Sequence, residues 1–176
     1  MIKYAGSSIS NPNDAYNITK NYANKRQEHF ILITLNNANK VIKIHVISKG
    51  TLNKTLAHPR DVFFPAIKDN AAGLLFLHNH VSGDLKPSKE DENISDRLHA
   101  ASQLLGFRVL DNLIISKNGY YSFRENKKTR DYENVDYKII MKKFKNKIFS
   151  FYGNKNVKSR SHESSSLSVA CSGTRH

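Results

Sequence analysis

The stretch LLFLHNHVSGDLKPSKED, residues 74–91, decides the fold of this chain and carries its chemistry. It begins with an apolar run that is most simply a buried strand, passes through a loop rich in turn residues, and ends in a helix. His78 and His80 are two residues apart at the end of the strand, so their side chains point to the same side. Two imidazoles in this arrangement can converge on one metal ion.

Asp91 is the candidate for a third ligand, because a tight loop can fold the first turn of the helix back beside the end of the strand. Two neutral imidazoles and one carboxylate suit Zn²⁺ and leave the fourth tetrahedral position for water. Such an ion lowers the pKa of its water towards neutrality and makes hydroxide available. The chain has a single cysteine, which excludes a thiolate cage for the metal.

Each of these residues also has a purely structural interpretation. In a chain with eight histidines an HxH pair can arise by chance, and His78 or His80 alone fits an ordinary strand end. Ser88 and Asp91 match the Ser-x-x-acid pattern that caps a helix, although a capping residue can also face a metal site. Asp111 lies in an apolar strand and needs a partner if it is buried, either a histidine or a backbone amide.

The sequence around this stretch predicts alternating helices and strands. In chain order they are a helix over 13–26 capped by Asn13, strands 29–35 and 41–48 forming a hairpin, a helix over 59–70, strand 73–79, a helix over 89–104, strand 107–116, and a returning strand 120–123 after the Asn118-Gly119 turn. This order argues for a sheet with helices on both of its faces.

Two details of the helices are predicted as well. Pro65 is expected within or near the first turn of its helix, where the loss of a backbone hydrogen bond matters less. The helix over 89–104 is expected to bury the face that carries Ile94, Leu98, Ala101 and Leu105, which recur at helical spacing.

Length and composition indicate a soluble protein of one domain, with room for an appendage. The 176 residues are 39% hydrophobic and include nine Phe and eight Tyr, which is enough for a core. No apolar run approaches the roughly 18 residues that span a membrane, and the N-terminus has no long apolar stretch like that of a signal peptide. We therefore expect a cytoplasmic protein without a membrane partner, and the sequence does not indicate its oligomeric state.

The net charge of +13 is concentrated at the C-terminus. Residues 127–176 contain 12 Lys/Arg and 4 Asp/Glu, a net charge of +8, whereas residues 1–126 contain 16 and 11, a net charge of +5. Residues 136–152 fit a basic amphipathic helix, and the chain from Gly153 onward has a composition typical of disorder. This tail is either a solvated segment or a contact for nucleic acid or another polyanion. In residues 1–126 no Lys/Arg run with interleaved aromatics suggests a groove for single strands.

The spacing His-x-His, seven residues, Ser-x-x-Asp resembles the signature of the JAB/MPN metalloprotein superfamily, and the wider chain resembles its bacterial RadC-like branch. The segments that carry the resemblance are GTLNKTLAHPRDVF (50–63), LHNHVSGDLKPSKED (77–91), LLGFRVLDNLII (104–115) and GYYSF (119–123). The chain then divides into a helical lead-in (1–26), a RadC-like JAB/MPN domain (27–125) and a basic, partly disordered tail (126–176). The resemblance implies a three-layer α/β fold similar to cytidine deaminase, with a mixed sheet flanked by helices.

The resemblance also implies roles for individual residues. Zinc would be held by His78, His80 and Asp91, and a serine at the position of Ser88 would help to stabilise the tetrahedral intermediate. An upstream glutamate would act as general base through the zinc water, and motif position makes it Glu28. The implied activity is that of a metallopeptidase or isopeptidase acting on an amide bond of a peptide or protein substrate.

The chain departs from the family pattern at two positions. Val81 stands where the family usually has proline, and Asn112 stands where it usually has histidine. We expect Val81 to loosen the loop after the ligands, and Asn112 to remove a contact around the metal site. A second position for the glutamate, near His45 in the next strand, is not acidic in this chain.

Two functions of other classes remain open at the level of sequence. RadC-like proteins have long been labelled as DNA repair factors, and a DNA-associated accessory protein would use the basic tail. The string His-Asn-His is not an HNH nuclease motif, because that motif spreads its residues over a ββα unit. The other alternative is a catalytically inactive module that binds zinc for stability. The position of the Glu28 carboxylate discriminates between this module and the hydrolase.

Overall fold

The computed structural model describes residues 4–50 and 58–127, and these residues form a five-stranded mixed sheet with three helices. The elements in chain order are α1 (Pro12–Ala23), β1 (His29–Leu35), β2 (Val41–Lys49), α2 (Pro59–Lys68), β3 (Gly73–Asn79), α3 (Lys89–Leu104), β4 (Arg108–Ser116) and β5 (Gly119–Ser122). The predicted order of elements is confirmed. The predictions for residues 136–152 and for the rest of the tail lie outside the described residues.

The strands lie in the order β2-β1-β3-β4-β5. β1 pairs antiparallel with β2, as the predicted hairpin requires, and also antiparallel with β3. β3 and β4 are parallel, and β5 returns antiparallel to β4. A parallel pair needs a crossover connection, which α3 provides here. The chain therefore passes from the end of β3 through the loop of residues 80–88 into α3, and this brings His78 and Asp91 to one place.

The sheet is covered on both faces, which confirms the predicted three-layer α/β architecture. On one face, alternate residues of β1 such as Ile31 and Ile33 form a core with Ala15 and Tyr16 of α1. On the other face, Phe30 and Leu32 form a second core with residues of α2 and α3. All seven residues of β1 and all seven of β3 are buried, as expected for central strands with helices on both sides.

The N-cap of α1 is Asn11, two residues before the predicted Asn13, and the helix begins at Pro12 rather than at residue 13. The Asn11 side chain accepts a hydrogen bond of 3.0 Å from the backbone amide of Asp14, whose carboxylate accepts one of 3.2 Å from the Asn11 amide. Pro12 then occupies the first helical position, where its missing amide hydrogen costs nothing. The helix ends at Ala23 rather than at residue 26.

Two predicted details of α2 and α3 are wrong. Pro65 lies in the second half of α2, well beyond the first turn. Leu105 is the C-cap of α3 and is 51% exposed, because the chain leaves the helix at this point. Leu98 is buried as predicted, the other buried residues of α3 are the polar Asp91, Ser95 and Ser102, and the predicted Ile94 and Ala101 pack at the edge of the core.

Within residues 4–50 and 58–127, no helix is long and apolar enough to cross a lipid bilayer.

Candidate metal centre

His78, His80 and Asp91 converge at the end of β3, as the spacing of the motif predicts. Each offers one ligand atom, and these atoms all lie within 4.8 Å of one another. His78 is the second-last residue of β3, His80 follows the strand, and Asp91 is in the first turn of α3. The backbone amide of His80 donates a 3.0 Å hydrogen bond to Ile115 in β4, which keeps the chain beside the sheet beyond the end of β3.

The distances between the three side chains suit a tetrahedral metal ion. Nε2 of His78 lies 3.0 Å from Oδ1 of Asp91, and Nε2 of His80 lies 3.4 Å from Oδ2 of the same carboxylate. The two Nε2 atoms are 3.1 Å apart. Ligands held about 2.0–2.1 Å from zinc at tetrahedral angles are about 3.3 Å from one another. The three residues are therefore spaced as zinc ligands, and the donor set of two imidazoles and one carboxylate fits this ion.

The ring orientation of His80 is fixed by the loop that follows it. Nδ1 of His80 lies 2.8 Å from the backbone carbonyl oxygen of Asp84. Because a carbonyl oxygen only accepts, Nδ1 donates to it, and Nε2 is left as the ring atom that would bind a metal through its lone pair. The loop turns at Gly83, which has a φ of +86° and whose amide donates to the His80 carbonyl at 3.2 Å.

Asp91 is both a capping residue and a ligand candidate, so the two interpretations of the Ser-x-x-Asp pattern are compatible. Its Oδ2 atom accepts hydrogen bonds from the amide of Ser88 at 2.8 Å and from the Ser88 hydroxyl at 2.7 Å. In return, the Asp91 amide donates to Oγ of Ser88 at 3.2 Å. This capping box orients the carboxylate and leaves Oδ1 facing His78.

The electrostatics of the site favour an ionised Asp91. Burial alone would raise the pKa of Asp91, but hydrogen bonds from His78 and His80 outweigh it and hold that pKa well below its ordinary value. Burial alone would lower the pKa of His80, but the contacts with Asp91 and the Asp84 carbonyl, together with the charge of Glu28, raise it. The carboxylate is therefore available as an anionic ligand at neutral pH.

Glu28, the predicted general base, lies next to this cluster but is not one of its three ligands. It precedes β1, and Phe30 pairs with His78 in the antiparallel register of β1 and β3. Continuing this register by two residues places Glu28 opposite His80. Glu28 is half-buried, and its charge contributes to the raised pKa of His80.

Asn79, which the sequence analysis did not single out, connects the metal site to the segment that carries Glu28. It lies between the two histidines and points to the opposite face of the sheet, where its side chain is fully buried. Its Oδ1 atom accepts a hydrogen bond of 2.7 Å from the His29 amide, and its Nδ2 atom donates one of 3.1 Å to the Gln27 carbonyl. The sequence does contain a signal for this role, which is an asparagine inside a strand that is mostly apolar. A buried amide side chain must form hydrogen bonds with neighbouring groups.

Of the two partners predicted for Asp111, a histidine or a backbone amide, the structure shows backbone amides. Asp111 also binds the hydroxyl of Ser122. Its carboxylate accepts hydrogen bonds from the Ser122 hydroxyl at 2.5 Å and from the amides of Asn112 and Arg124 at 2.8 and 3.0 Å. Burial raises the pKa of Asp111, and these hydrogen bonds only partly offset that effect. The residue ties the start of β4 to the end of β5 and is not part of the metal cluster.

The positions that depart from the family pattern lie near the site without entering it. Val81 follows the second histidine and is 49% exposed. Asn112 pairs with Phe76 across β3 and β4, and its buried Oδ1 atom has no hydrogen-bond partner among the described residues. His45 does not face the metal cluster, because its Nε2 atom binds the carboxylate of Asp69 at 2.5 Å.

Comparison with known proteins gives one matching family and a set of curated relatives. The model of the family described as RadC-like JAB domain matches residues 9–128, a range that includes α1. A UPF0758 protein of Trichlorobacter lovleyi is 44% identical over 100 residues, which are 57% of this chain and 44% of the relative. A UPF0758 protein of Aquifex aeolicus is 40% identical over 118 residues, or 67% of this chain and 51% of the relative. UPF0758 protein SH1266 of Staphylococcus haemolyticus is 45% identical over 118 residues, which are 66% of this chain and 52% of the relative. The chain thus spans about half the length of the curated relatives it matches.

Proposed function

Because the chain belongs to the family of RadC-like JAB domains, we propose that it is a zinc-dependent hydrolase of the metallopeptidase or isopeptidase type. The observation that carries the proposal is the spacing of His78, His80 and Asp91, whose ligand atoms are 3.0–3.4 Å apart where they face one another. In the proposed reaction water attacks the carbonyl carbon of an amide in a peptide or protein, and the bond to the amine breaks.

Zinc is the metal we propose for this site. Two imidazoles and a carboxylate form a three-residue set that leaves one tetrahedral position open, which is typical of catalytic zinc sites. When bound, zinc supplies a Lewis acid for the carbonyl and lowers the pKa of water towards neutrality. The hydrogen bond between His80 and the Asp84 carbonyl holds one imidazole in the tautomer that ligation requires.

Glu28 is the general base in this proposal. It takes a proton from the attacking water and passes it to the leaving amine, a role that is worth about 10²–10⁴-fold in rate. Two observations support the assignment: the register of β1 and β3 continues to Glu28 opposite His80, and the Glu28 charge acts on the pKa of His80. A half-buried carboxylate whose charge acts on His80 suits a base for water beside the ligand candidates.

Ser88 is the proposed donor to the oxyanion. Its hydroxyl donates to Oδ2 of Asp91 at 2.7 Å and must turn towards the substrate oxygen as negative charge develops there. The Ser88 backbone amide, which donates to the same Oδ2 atom at 2.8 Å, keeps Asp91 in place during this change. The capping box therefore supplies both a fixed ligand and a donor that can be redirected.

The experiment that tests the proposal combines zinc analysis with peptidase and isopeptidase assays on three proteins. They are the native chain, Glu28→Gln and the matched control Glu90→Gln, which removes an exposed carboxylate from the first turn of α3. We expect all three to bind zinc, and only Glu28→Gln to lose about 10²-fold or more in activity. Full activity of Glu28→Gln would refute the assignment of the base. A zinc-loaded native chain that cleaves no peptide or isopeptide would favour the inactive zinc-binding module.

Contact with nucleic acid through the basic tail is a second proposal, and it is supported by the net charge of +8 over residues 127–176. Binding of this kind weakens steeply as salt rises, because counterions are released from the nucleic acid. Its test is a salt titration of DNA binding by the full chain and by a chain that lacks residues 127–176. Binding that survives the deletion unchanged would contradict it.

A further inference from the structure

A basic cavity lies between the end of α1 and strand β2, which is at the edge of the described sheet. Its volume is about 470 Å³, within the range of pockets that hold small ligands. Lys25, Arg26 and Lys49 contribute charge to its lining, and Tyr22 and His29 contribute rings. His29 contacts Tyr22 of α1, so the cavity is on the α1 side of the sheet and not on the side of His78.

The fold assembles this cavity from two separate parts of the sequence. After α1 ends at Ala23, the Lys25 amide donates a hydrogen bond of 3.1 Å to the Tyr22 carbonyl, which turns the chain towards β1. The register of β1 and β2 then pairs His29 with Lys49. Lys49 thereby joins Lys25 and Arg26 as a third cation, although it lies more than twenty positions further along the chain. The sequence contains no continuous run of basic residues that would reveal this grouping.

No carboxylate within residues 4–50 and 58–127 neutralises the three cations. Among the described residues, none of Lys25, Arg26 and Lys49 forms an ion pair with a carboxylate, and no acidic residue lines the cavity. The negative end of the α1 dipole favours cations and accounts for Lys25 and Arg26. It does not account for Lys49, which comes from β2. Like charges around one cavity repel one another, and a bound anion relieves this repulsion.

His29 is a second and independent indication of a ligand. It lines the cavity, is only 6% exposed, and its Nδ1 atom lies 2.8 Å from the Gln27 carbonyl oxygen. Because this oxygen only accepts, Nδ1 carries the hydrogen of the neutral ring and Nε2 is an acceptor. Nε2 has no hydrogen-bond partner among the described residues. An unpartnered acceptor on a residue that lines the cavity, beside three cations, suits a group that is anionic and also carries a hydroxyl.

We propose that this cavity binds a phosphate monoester. The anionic oxygens of the phosphate would accept hydrogen bonds from Lys25, Arg26 and Lys49, and the hydroxyl of its singly protonated form would donate to Nε2 of His29. The tilted rings of Tyr22 and His29, whose centroids are 5.8 Å apart, leave an aromatic wall beside the phosphate for the rest of the ligand. Such a group occurs in nucleoside monophosphates and at the phosphorylated 5′ end of a nucleic acid.

The test is isothermal titration of the full chain with inorganic phosphate, with adenosine 5′-monophosphate, and with a short oligonucleotide that either carries or lacks a 5′-phosphate. The variant is Lys25→Gln/Lys49→Gln, and the matched control is Lys40→Gln/Lys68→Gln, which removes the same charge from exposed sites elsewhere. We expect saturable binding by the native chain and by the control. The cavity variant should bind about tenfold more weakly or worse, because two charge-assisted hydrogen bonds are lost.

Comparison of the affinities for these compounds distinguishes the two sources of the phosphate monoester, a nucleoside monophosphate and the 5′ end of a nucleic acid. Tighter binding of the mononucleotide than of inorganic phosphate, with no gain from the 5′-phosphate on the oligonucleotide, indicates a small molecule. Tighter binding of the 5′-phosphorylated oligonucleotide than of its unphosphorylated form, lost in the cavity variant, indicates a nucleic-acid end. The proposal is overturned if none of these phosphates binds saturably, or if the control variant loses as much affinity as the cavity variant. Circular dichroism of both variants checks that they fold like the native chain.

Discussion

The side-chain oxygen of Asn79 accepts a hydrogen bond of 2.7 Å from the backbone amide of His29, which is fifty residues earlier in the chain. The nitrogen of the same side chain donates to the Gln27 carbonyl at 3.1 Å. Asn79 therefore holds the backbone on both sides of Glu28, while its neighbours His78 and His80 point to the metal cluster. The short segment 78–80 at the end of β3 thus supplies two of the three ligand candidates and fixes the backbone around the candidate base.

Substitution of Asn79 should separate metal binding from catalysis. Asn79→Ala leaves the buried His29 amide without its partner, which costs about 1–3 kcal/mol of unfolding free energy. We expect this variant to retain zinc and to lose kcat, because the segment that carries Glu28 is no longer fixed. Zinc analysis, kcat and KM measure the effect. Asn36→Ala is the control, because Asn36 also holds two backbone amides, but in an exposed turn after β1. Equal losses of kcat in the two variants would contradict this role.

Ser88 and Asn11 form equivalent capping boxes on two helices, and only one of the boxes contains a ligand candidate. Ser88→Ala and Asn11→Ala should each cost about 1 kcal/mol of stability, which chemical denaturation measures. Only Ser88→Ala should also reduce hydrolytic activity, by about 10²-fold, because it removes the proposed donor to the oxyanion. If the two variants keep equal activity, Ser88 is a helix cap and nothing more.

Gly83 should be required for metal affinity as well as for stability. Its φ of +86° disfavours other residues, and an added Cβ would lie 3.2 Å from Nδ2 of Asn118, which binds the Gly83 carbonyl. Gly106 has a similar φ of +77° but nothing within 4 Å of an added Cβ. Gly83→Ala and Gly106→Ala should both lose about 1 kcal/mol or more of stability. Only Gly83→Ala should weaken zinc binding in a chelator competition, because it shifts the loop that orients His80. Unchanged zinc affinity of Gly83→Ala would contradict this.

Asp69 should contribute to stability at neutral pH but not in acid. Burial alone would raise its pKa, but hydrogen bonds from His45 and Thr34 outweigh this effect and lower it. A carboxyl with a lowered folded pKa stabilises the fold above its unfolded pKa of about 3.9, and this stability is lost as pH falls through the folded value. Asp69→Asn should therefore cost about 1 kcal/mol at neutral pH. The difference from the native chain should shrink below about pH 4. A difference that stays constant in urea denaturation at both pH values would refute this linkage.

Much of the fold could be predicted because hydrophobic periodicity and turn residues define its elements. The apolar run before His78 predicts a buried strand, and alternation predicts that His78 and His80 share a face. Helix ends were less predictable, since two asparagines stand near the start of α1 and only the capping geometry of Asn11 distinguishes them. Leu105 has the spacing of a buried residue, but the helix ends before it can contribute to the buried face.

The parts of the sites that could not be predicted depend on strand register. Asn79 holds the His29 amide only because β1 and β3 pair antiparallel with Phe30 opposite His78. Lys49 reaches the basic cavity only because it pairs with His29 across β1 and β2. Each strand considered alone gives the face of a residue but not its neighbour on the next strand.

Zinc content tests the central claim most directly. Elemental analysis would compare the native chain with a His78→Ala/His80→Ala variant, and with His58→Ala as a control at the exposed start of α2. We predict about one zinc per chain in the native protein and in the control, and none in the double variant. A native chain that stays free of metal after incubation with zinc, or a double variant that binds zinc as the native chain does, would contradict the account.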